Sequence, residues 1–203
     1  MIDYSKYKYN GWGLSKEALK FLEDLVNTHS LNRAIEFGSG QSTYFLEDLG
    51  VDYVSFDNNP VYAAQTDKVV FRNLRQLDDN AFDSVITNKV SYFDICNKFP
   101  QPEEVTLRTA NCFYGFEPGD IEGKFDLVII DGPNGNGRSL AFNAIKNNLS
   151  PISYLFIDDY NHYPFIEHLK IMFPNSKLIK SFDYSGGDNR SSRDYWQIYK
   201  VTK

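Results

Sequence analysis

Short apolar runs alternate with amphipathic stretches along this chain. Arg33 to Phe37, Tyr53 to Asp57, Asp67 to Arg72, Phe125 to Ile130 and Tyr154 to Asp159 are rich in Val, Ile, Leu, Phe and Tyr. Such runs, bounded by polar or glycine-bearing turns, predict strands buried on both faces. Ser15 to Asn27 places Ala18, Leu19, Leu22, Leu25 and Val26 at helical spacing, with Ser15 as N-cap. Further helices are predicted over Ser42 to Leu49, Ser139 to Asn148 and Tyr163 to Phe173, the last ended by Pro174-Asn175, and Asn59-Pro60 is expected to open a short one. Two closing strands, Lys177 to Tyr184 and Tyr195 to Val201, flank the polar loop Ser185 to Asp194. Strands alternating with helices and ending in a hairpin predict an α/β domain with a mostly parallel seven-stranded sheet, an antiparallel last strand and helices on both faces.

The stretch from Asn73 to Lys124 shows neither period. It is longer than an ordinary connection and carries Tyr92, Phe93, Phe99, Phe113, Tyr114 and Phe116 among prolines and glycines. A lid or substrate wall is one account of such a segment, and an aromatic cluster closing a loop is the other. The 203 residues suffice for one domain, residues 1–203, with 73–124 as a candidate substrate-covering insertion. A formal net charge of −6 speaks against nucleic acid as a partner. No apolar run is long enough to span a membrane, and Met1 to Lys6 lacks a signal-peptide core, so a soluble cytoplasmic protein without a membrane partner is expected. Whether it forms a homodimer is left open. Cys96 and Cys112 are too few and too far apart for a thiolate metal site or a disulfide scaffold, and read as buried thiols. Fourteen tyrosines offer platforms for sugar faces or planar substrates, although packing accounts for any single one as well.

The chemistry concentrates in Ala34-Ile35-Glu36-Phe37-Gly38-Ser39-Gly40-Gln41-Ser42-Thr43, where a strand runs through a glycine turn into a helix. Gly38 and Gly40 allow unusual backbone angles and close approach to a ligand, and the N–H groups of Ser42 and Thr43 lie at a helix start. Asp57, followed by Asn58, ends the second strand in a carboxylate placed to accept from ribose hydroxyls. A dinucleotide site reads G-x-G-x-x-G, but Thr43 stands at the third glycine position. The text E-x-G-x-G with a later acidic strand end resembles the class I S-adenosylmethionine-dependent methyltransferases. That resemblance implies a Rossmann-like fold and S-adenosylmethionine as cofactor, with Glu36 near its methionine end, Asp57 on its ribose, and Gly38, Ser39, Gly40, Ser42, Thr43, Asn58 and Asp131 around it.

Three further carboxylates, Asp131, Asp158 and Asp159, fall at the ends of the fourth and fifth strands, which such a topology makes neighbours. Clustered anions repel unless a cation lies between them, and an oxygen-only set suits Mg²⁺ or Mn²⁺. The pattern is similar to the metal-dependent O-methyltransferases, including the catechol and macrolide sugar enzymes, and implies Asp131, Asp158 and Asp159 as metal ligands. Asp131-Gly132-Pro133 followed by Gly137-Arg138 also resembles the glucuronoxylan 4-O-methyltransferases, which implies a sugar or glycan acceptor. Asn134 stands where the catechol enzyme carries a catalytic Lys, so His162, together with Asp131, is the candidate for catalytic proton transfer. Arg138 is a candidate for an anionic group of the substrate, or is simply solvated. Helix capping remains the plainer account of Asp158-Asp159. Amino methylation, a nicotinamide-dependent oxidoreductase and a non-catalytic nucleotide-binding module are the competing functions. Asp78 or Asp79 is a candidate for the adenine side, or a solvated turn.

Overall fold

The computed structural model describes residues 2–7, 9, 13–106, 109–185 and 193–203. Nine strands fall within these residues: β1 (Arg33–Phe37), β2 (Asp52–Asp57), β3 (Val69–Phe71), β4 (Leu74–Gln76), β5 (Cys112–Tyr114), β6 (Phe125–Ile130), β7 (Leu149–Asp158), β8 (Lys177–Ser185) and β9 (Arg193–Thr202). Seven form one sheet in the order β3-β2-β1-β6-β7-β9-β8, and β4 pairs with β5 separately. β9 runs antiparallel to both of its neighbours, and the other pairings of the large sheet are parallel. The sheet therefore has the expected form. Most of the expected loop between the two closing strands, residues 186–192, lies outside the described residues.

Alternation along the central strands sorts the core into two layers. Ala34, Leu127, Ile129, Tyr154 and Phe156 face α1 (Lys16–His29) and α2 (Gln41–Asp48), where they meet Leu19, Leu22, Phe45 and Leu46. Ile35, Phe37, Val128, Ile130, Leu155 and Ile157 face α3 (Asp79–Ile86), α4 (Tyr92–Ile95), α5 (Leu140–Ile145) and α6 (Phe165–Met172). Ser15 caps α1 as expected, its side chain accepting from the Ala18 N–H at 3.0 Å. Trp196 on β9 is buried between the Phe156 and Phe182 rings, at centroid distances of 5.4 and 5.2 Å.

The described residues of 73–124 hold β4, α3, α4, a 3-10 turn at Cys96–Lys98 and β5, with longer irregular connections on either side of β5. Their aromatic rings pack inward: Tyr92, Phe113, Tyr114 and Phe116 are buried and form one cluster with Phe37 and Phe56 of the sheet. A ring consumed by the core offers no free face to a substrate, so for these four residues the packing account holds. Asp78 is the N-cap of α3, accepting from the Ala81 N–H at 2.8 Å, and Asp79 accepts from Asn111. Both side chains are exposed, as the solvated reading expects, and they serve as a helix cap and a loop contact. Asn59-Pro60 opens a single turn, with the Tyr62 and Ala63 N–H groups on the Asn59 carbonyl, and no helix. Both cysteines are buried free thiols. Among the described residues no helix is long and apolar enough to cross a membrane.

Candidate functional site

Parallel register assembles the site. Phe37 lies beside Phe56 and Ile130, and Ile130 beside Ile157. The residues that follow come level, so Asp57, Gly38, Asp131 and Asp158 stand in a row along the carboxyl edge of the sheet. Backbone hydrogen bonds fix the row: Gly38 N–H donates to the Phe56 carbonyl at 2.9 Å, and Asp131 and Gly132 N–H both donate to the Phe37 carbonyl. Chain order reverses between β1 and β6, and open α/β sheets bind ligands outside the strand ends at such a point.

The two glycines of the turn have different tasks. Gly38 takes φ +92°, and a Cβ there would lie 2.6 Å from the Gly132 nitrogen and 2.9 Å from its Cα. Its close approach is thus made to the β6 turn, not to a ligand as expected. Gly40 has an extended φ of 178°, available to any residue, and a Cβ there would meet nothing within 4 Å. The open side of the turn is at Gly40. Ser39 links the turn to Asp57: its N–H donates to Asp57 Oδ2 at 2.8 Å, while its Oγ accepts from the Ala64 N–H at 2.9 Å. Asp57 Oδ1 accepts from the Asn59 N–H at 2.7 Å, and the Asn58 backbone adds to this nest. Burial raises the Asp57 pKa against these hydrogen bonds. With the Ser39, Asn58 and Asn59 N–H groups on it, the Asp57 carboxylate keeps acceptor capacity for a ligand hydroxyl.

Glu36 departs from its expected place beside the cofactor. Strand alternation turns it under α2, where it is fully buried and its Oε2 accepts from Thr43 Oγ1 (2.6 Å) and Ser55 Oγ (2.7 Å). Burial pushes its pKa up to about 7 despite those bonds and a third from Ser42. Its Oε1 is buried without a hydrogen-bond partner among the described residues. Thr43 Oγ1 also accepts from the Gly40 N–H at 2.9 Å, so the carboxyl braces β1, β2 and the glycine turn together. The Ser42 and Thr43 side chains are buried. What remains for a ligand here is the backbone of the first turn of α2, where N–H groups lack an intrahelical acceptor.

At the other end of the row, Asp131 and Asp158 are in carboxyl-to-carboxyl hydrogen-bond contact. Burial raises Asp131 to about 6 and Asp158 well above the usual carboxylate range, and the Asp131 and Asp159 charges push Asp158 up further. Arg138, only 5% exposed, donates from Nε to the Pro133 carbonyl (2.8 Å) and from Nη1 to the Asp158 carbonyl (3.4 Å), with Nη1 3.6 Å from Asp159 Oδ2. It is neither solvated nor extended toward a substrate anion, and its charge opposes the upward shift of both buried carboxyls. His162 is exposed, its Nδ1 3.7 Å from Asp159 Oδ2. Beyond it a cleft of about 480 Å³ is lined by Tyr160, Asn161, His162, Tyr163, Ile166 and Glu167.

The oxygen-only set expected for Mg²⁺ or Mn²⁺ does not form. Among the described residues no group of three or more His, Cys, Asp or Glu side chains is arranged to hold a metal ion. Asp131 and Asp158 face each other, and a buried guanidinium stands beside Asp159. Two residues at this edge take places that the sequence reading did not give them. Tyr114 is buried with its hydroxyl close to Gly132, where Asp57, Asp131 and Glu36 all act on it. Arg138 was expected on a substrate anion or in solvent, and is instead buried against the Pro133 and Asp158 carbonyls.

A glycine turn at the reversal point of a sheet with this order, and one antiparallel strand inside its edge, define the class I methyltransferase fold. Solved structures with that fold superpose on the chain. TomG, an O-methyltransferase from Streptomyces achromogenes involved in tomaymycin synthesis and solved in complex with SAM, gives a TM-score of 0.53 at 14% identity over 95% of this chain and 82% of its own. Cofactor-bound Rv0187 from MTB gives 0.50 at 14% identity, over 97% and 84%. No protein-family model and no curated protein matches the sequence. The likeness establishes the fold.

Proposed function

We propose that the protein transfers a methyl group from S-adenosylmethionine to a hydroxyl of a sugar or similar small molecule. The observation that carries this reading is the row Asp57, Gly38, Asp131 and Asp158, with the turn open at Gly40. Bound S-adenosylmethionine supplies an electrophilic methyl on a sulfonium. Asp57, held by the Ser39 and Asn59 N–H groups, accepts from the ribose hydroxyls with Asn58 beside it. The first turn of α2 and the open face of Gly40 take the rest of the nucleoside and amino-acid portion, and Glu36, Ser42 and Thr43 hold that turn from beneath.

Methyl transfer is an in-line displacement, so alignment contributes much of the rate, on the order of several kcal/mol. The acceptor enters over the end of β7, in the cleft walled by Tyr160 and Tyr163, whose rings suit a sugar face. Asp131, at the end of β6, accepts the hydroxyl proton, and His162, exposed on the wall of the cleft and 3.7 Å from Asp159 Oδ2, is the second candidate for proton transfer. No step is assigned to a divalent cation, since the donor set does not fit one. The test is release of S-adenosylhomocysteine from labelled S-adenosylmethionine against uronates, neutral sugars, catechols and amines. Turnover with hydroxyl acceptors is expected. Turnover with amines alone would overturn the choice of acceptor, and cofactor binding without any turnover would favour a binding module.

A further inference from the structure

Among the described residues Arg138 is the guanidinium that lies beside these carboxyl-edge aspartates, and several contacts hold it there. Asn136, in the turn that carries it, exchanges two hydrogen bonds with Asn111, Oδ1 accepting from the backbone N–H and Nδ2 donating to the side chain, both at 2.7 Å. Gly137 lies so tightly on β5 that a Cβ would fall 1.8 Å from the Cys112 carbonyl oxygen, and one at Gly135 would fall 2.5 Å from that of Thr109. The guanidinium then donates to the carbonyls of Pro133 and Asp158 and sits 3.6 Å from Asp159 Oδ2. A long cationic side chain, almost wholly buried and clamped through its own backbone, is a fixture of the site.

We propose that Arg138 is the built-in cation of this site, a positioning residue that holds Asp131, Asp158 and Asp159 at the strand ends and closes them to divalent metal. The geometry supports it, since the guanidinium, almost wholly buried, already reaches the Asp158 carbonyl and lies 3.6 Å from Asp159 Oδ2. A divalent ion would have to lie against a guanidinium that cannot withdraw, whereas a singly charged cation such as a sulfonium meets half that repulsion. The sulfonium part of this inference rests on the proposed function, and the metal part does not.

The test is Mn²⁺ binding followed by electron paramagnetic resonance, beside calorimetry of S-adenosylmethionine with and without chelator. The wild type is expected to leave added Mn²⁺ free. Arg138→Met, which keeps the length of the stem and removes the charge, is expected to bind Mn²⁺ about tenfold more tightly or better, and Arg138→Met/Asp158→Asn to lose it again. Should Arg138→Met fail to fold, Arg138→Gln, which keeps a donor for the Pro133 carbonyl, is read the same way, and Arg138→Lys should stay closed to Mn²⁺. Tight Mn²⁺ binding by the wild type, or no gain on removing the charge, overturns the proposal. Failure of S-adenosylmethionine to bind while the Mn²⁺ pattern holds would overturn the methyltransferase reading and leave Arg138 as the built-in cation.

Discussion

Replacing each glycine of the turn by alanine separates the part that holds the fold from the part that meets a ligand. At Gly38 the backbone sits at φ +92°, and the added methyl would be 2.6 Å from the Gly132 nitrogen, on backbone that cannot rotate away. Left-handed backbone costs a non-glycine residue roughly 1–2 kcal/mol, and an overpacked core about 1–3 more, so Gly38→Ala should lose about 3 kcal/mol. For a chain of this length that lowers Tm by roughly 6–12 °C. At Gly40 the methyl meets nothing and φ is ordinary, so Gly40→Ala should cost no more than about 1 kcal/mol, the scale of a weakened N-cap. The same methyl projects into the space assigned to the cofactor. S-adenosylmethionine affinity should therefore fall about tenfold or more, equivalent to about 1.4 kcal/mol. Thermal unfolding and titration calorimetry on both variants read this directly. A Gly38→Ala protein that melts with the wild type refutes the tight contact between the turns, and a Gly40→Ala protein that binds S-adenosylmethionine unchanged refutes the open cradle.

Two further outcomes follow from buried groups. Glu36 is raised from 4.5 to about 7 by burial, so the stability it contributes is complete below pH 4.5 and is lost as pH rises through about 7. That loss, about 3 kcal/mol, should appear in urea unfolding of the wild type and be missing from Glu36→Gln, and parallel pH profiles for the two would contradict it. Phe116 packs on Phe56 and Phe113 in the core, so Phe116→Ala should cost about 3–5 kcal/mol; an unchanged Tm with a raised KM would return that segment to the role of substrate wall.

The central strands were legible because parallel strands covered on both faces are written as apolar runs, and Phe125 to Ile130 admits no other reading. The terminal aspartates followed, since a run that stops in a carboxylate stops at the binding edge. Residues 73–124 were not legible for the opposite reason. β4 and β5 are three residues each and α4 a single turn, too short for any period to emerge, and their rings are sorted by contact with Phe37 and Phe56, distant in the chain. The Gly38 contact with Gly132 and the burial of Arg138 are likewise pairings between remote segments. Glu36 was placed on the correct strand, but its partners were not legible, because alternation alone does not tell that α2 covers its face and supplies Thr43.

The measurement that bears most directly on the account is titration calorimetry of S-adenosylmethionine and, separately, NAD⁺ into the wild type and Asp57→Ala. The account predicts micromolar S-adenosylmethionine binding, no NAD⁺ binding, and a loss of roughly 10–100-fold in Asp57→Ala, the scale of hydrogen bonds to a charged group. An absence of S-adenosylmethionine binding, or NAD⁺ binding that depends on Asp57, would contradict it.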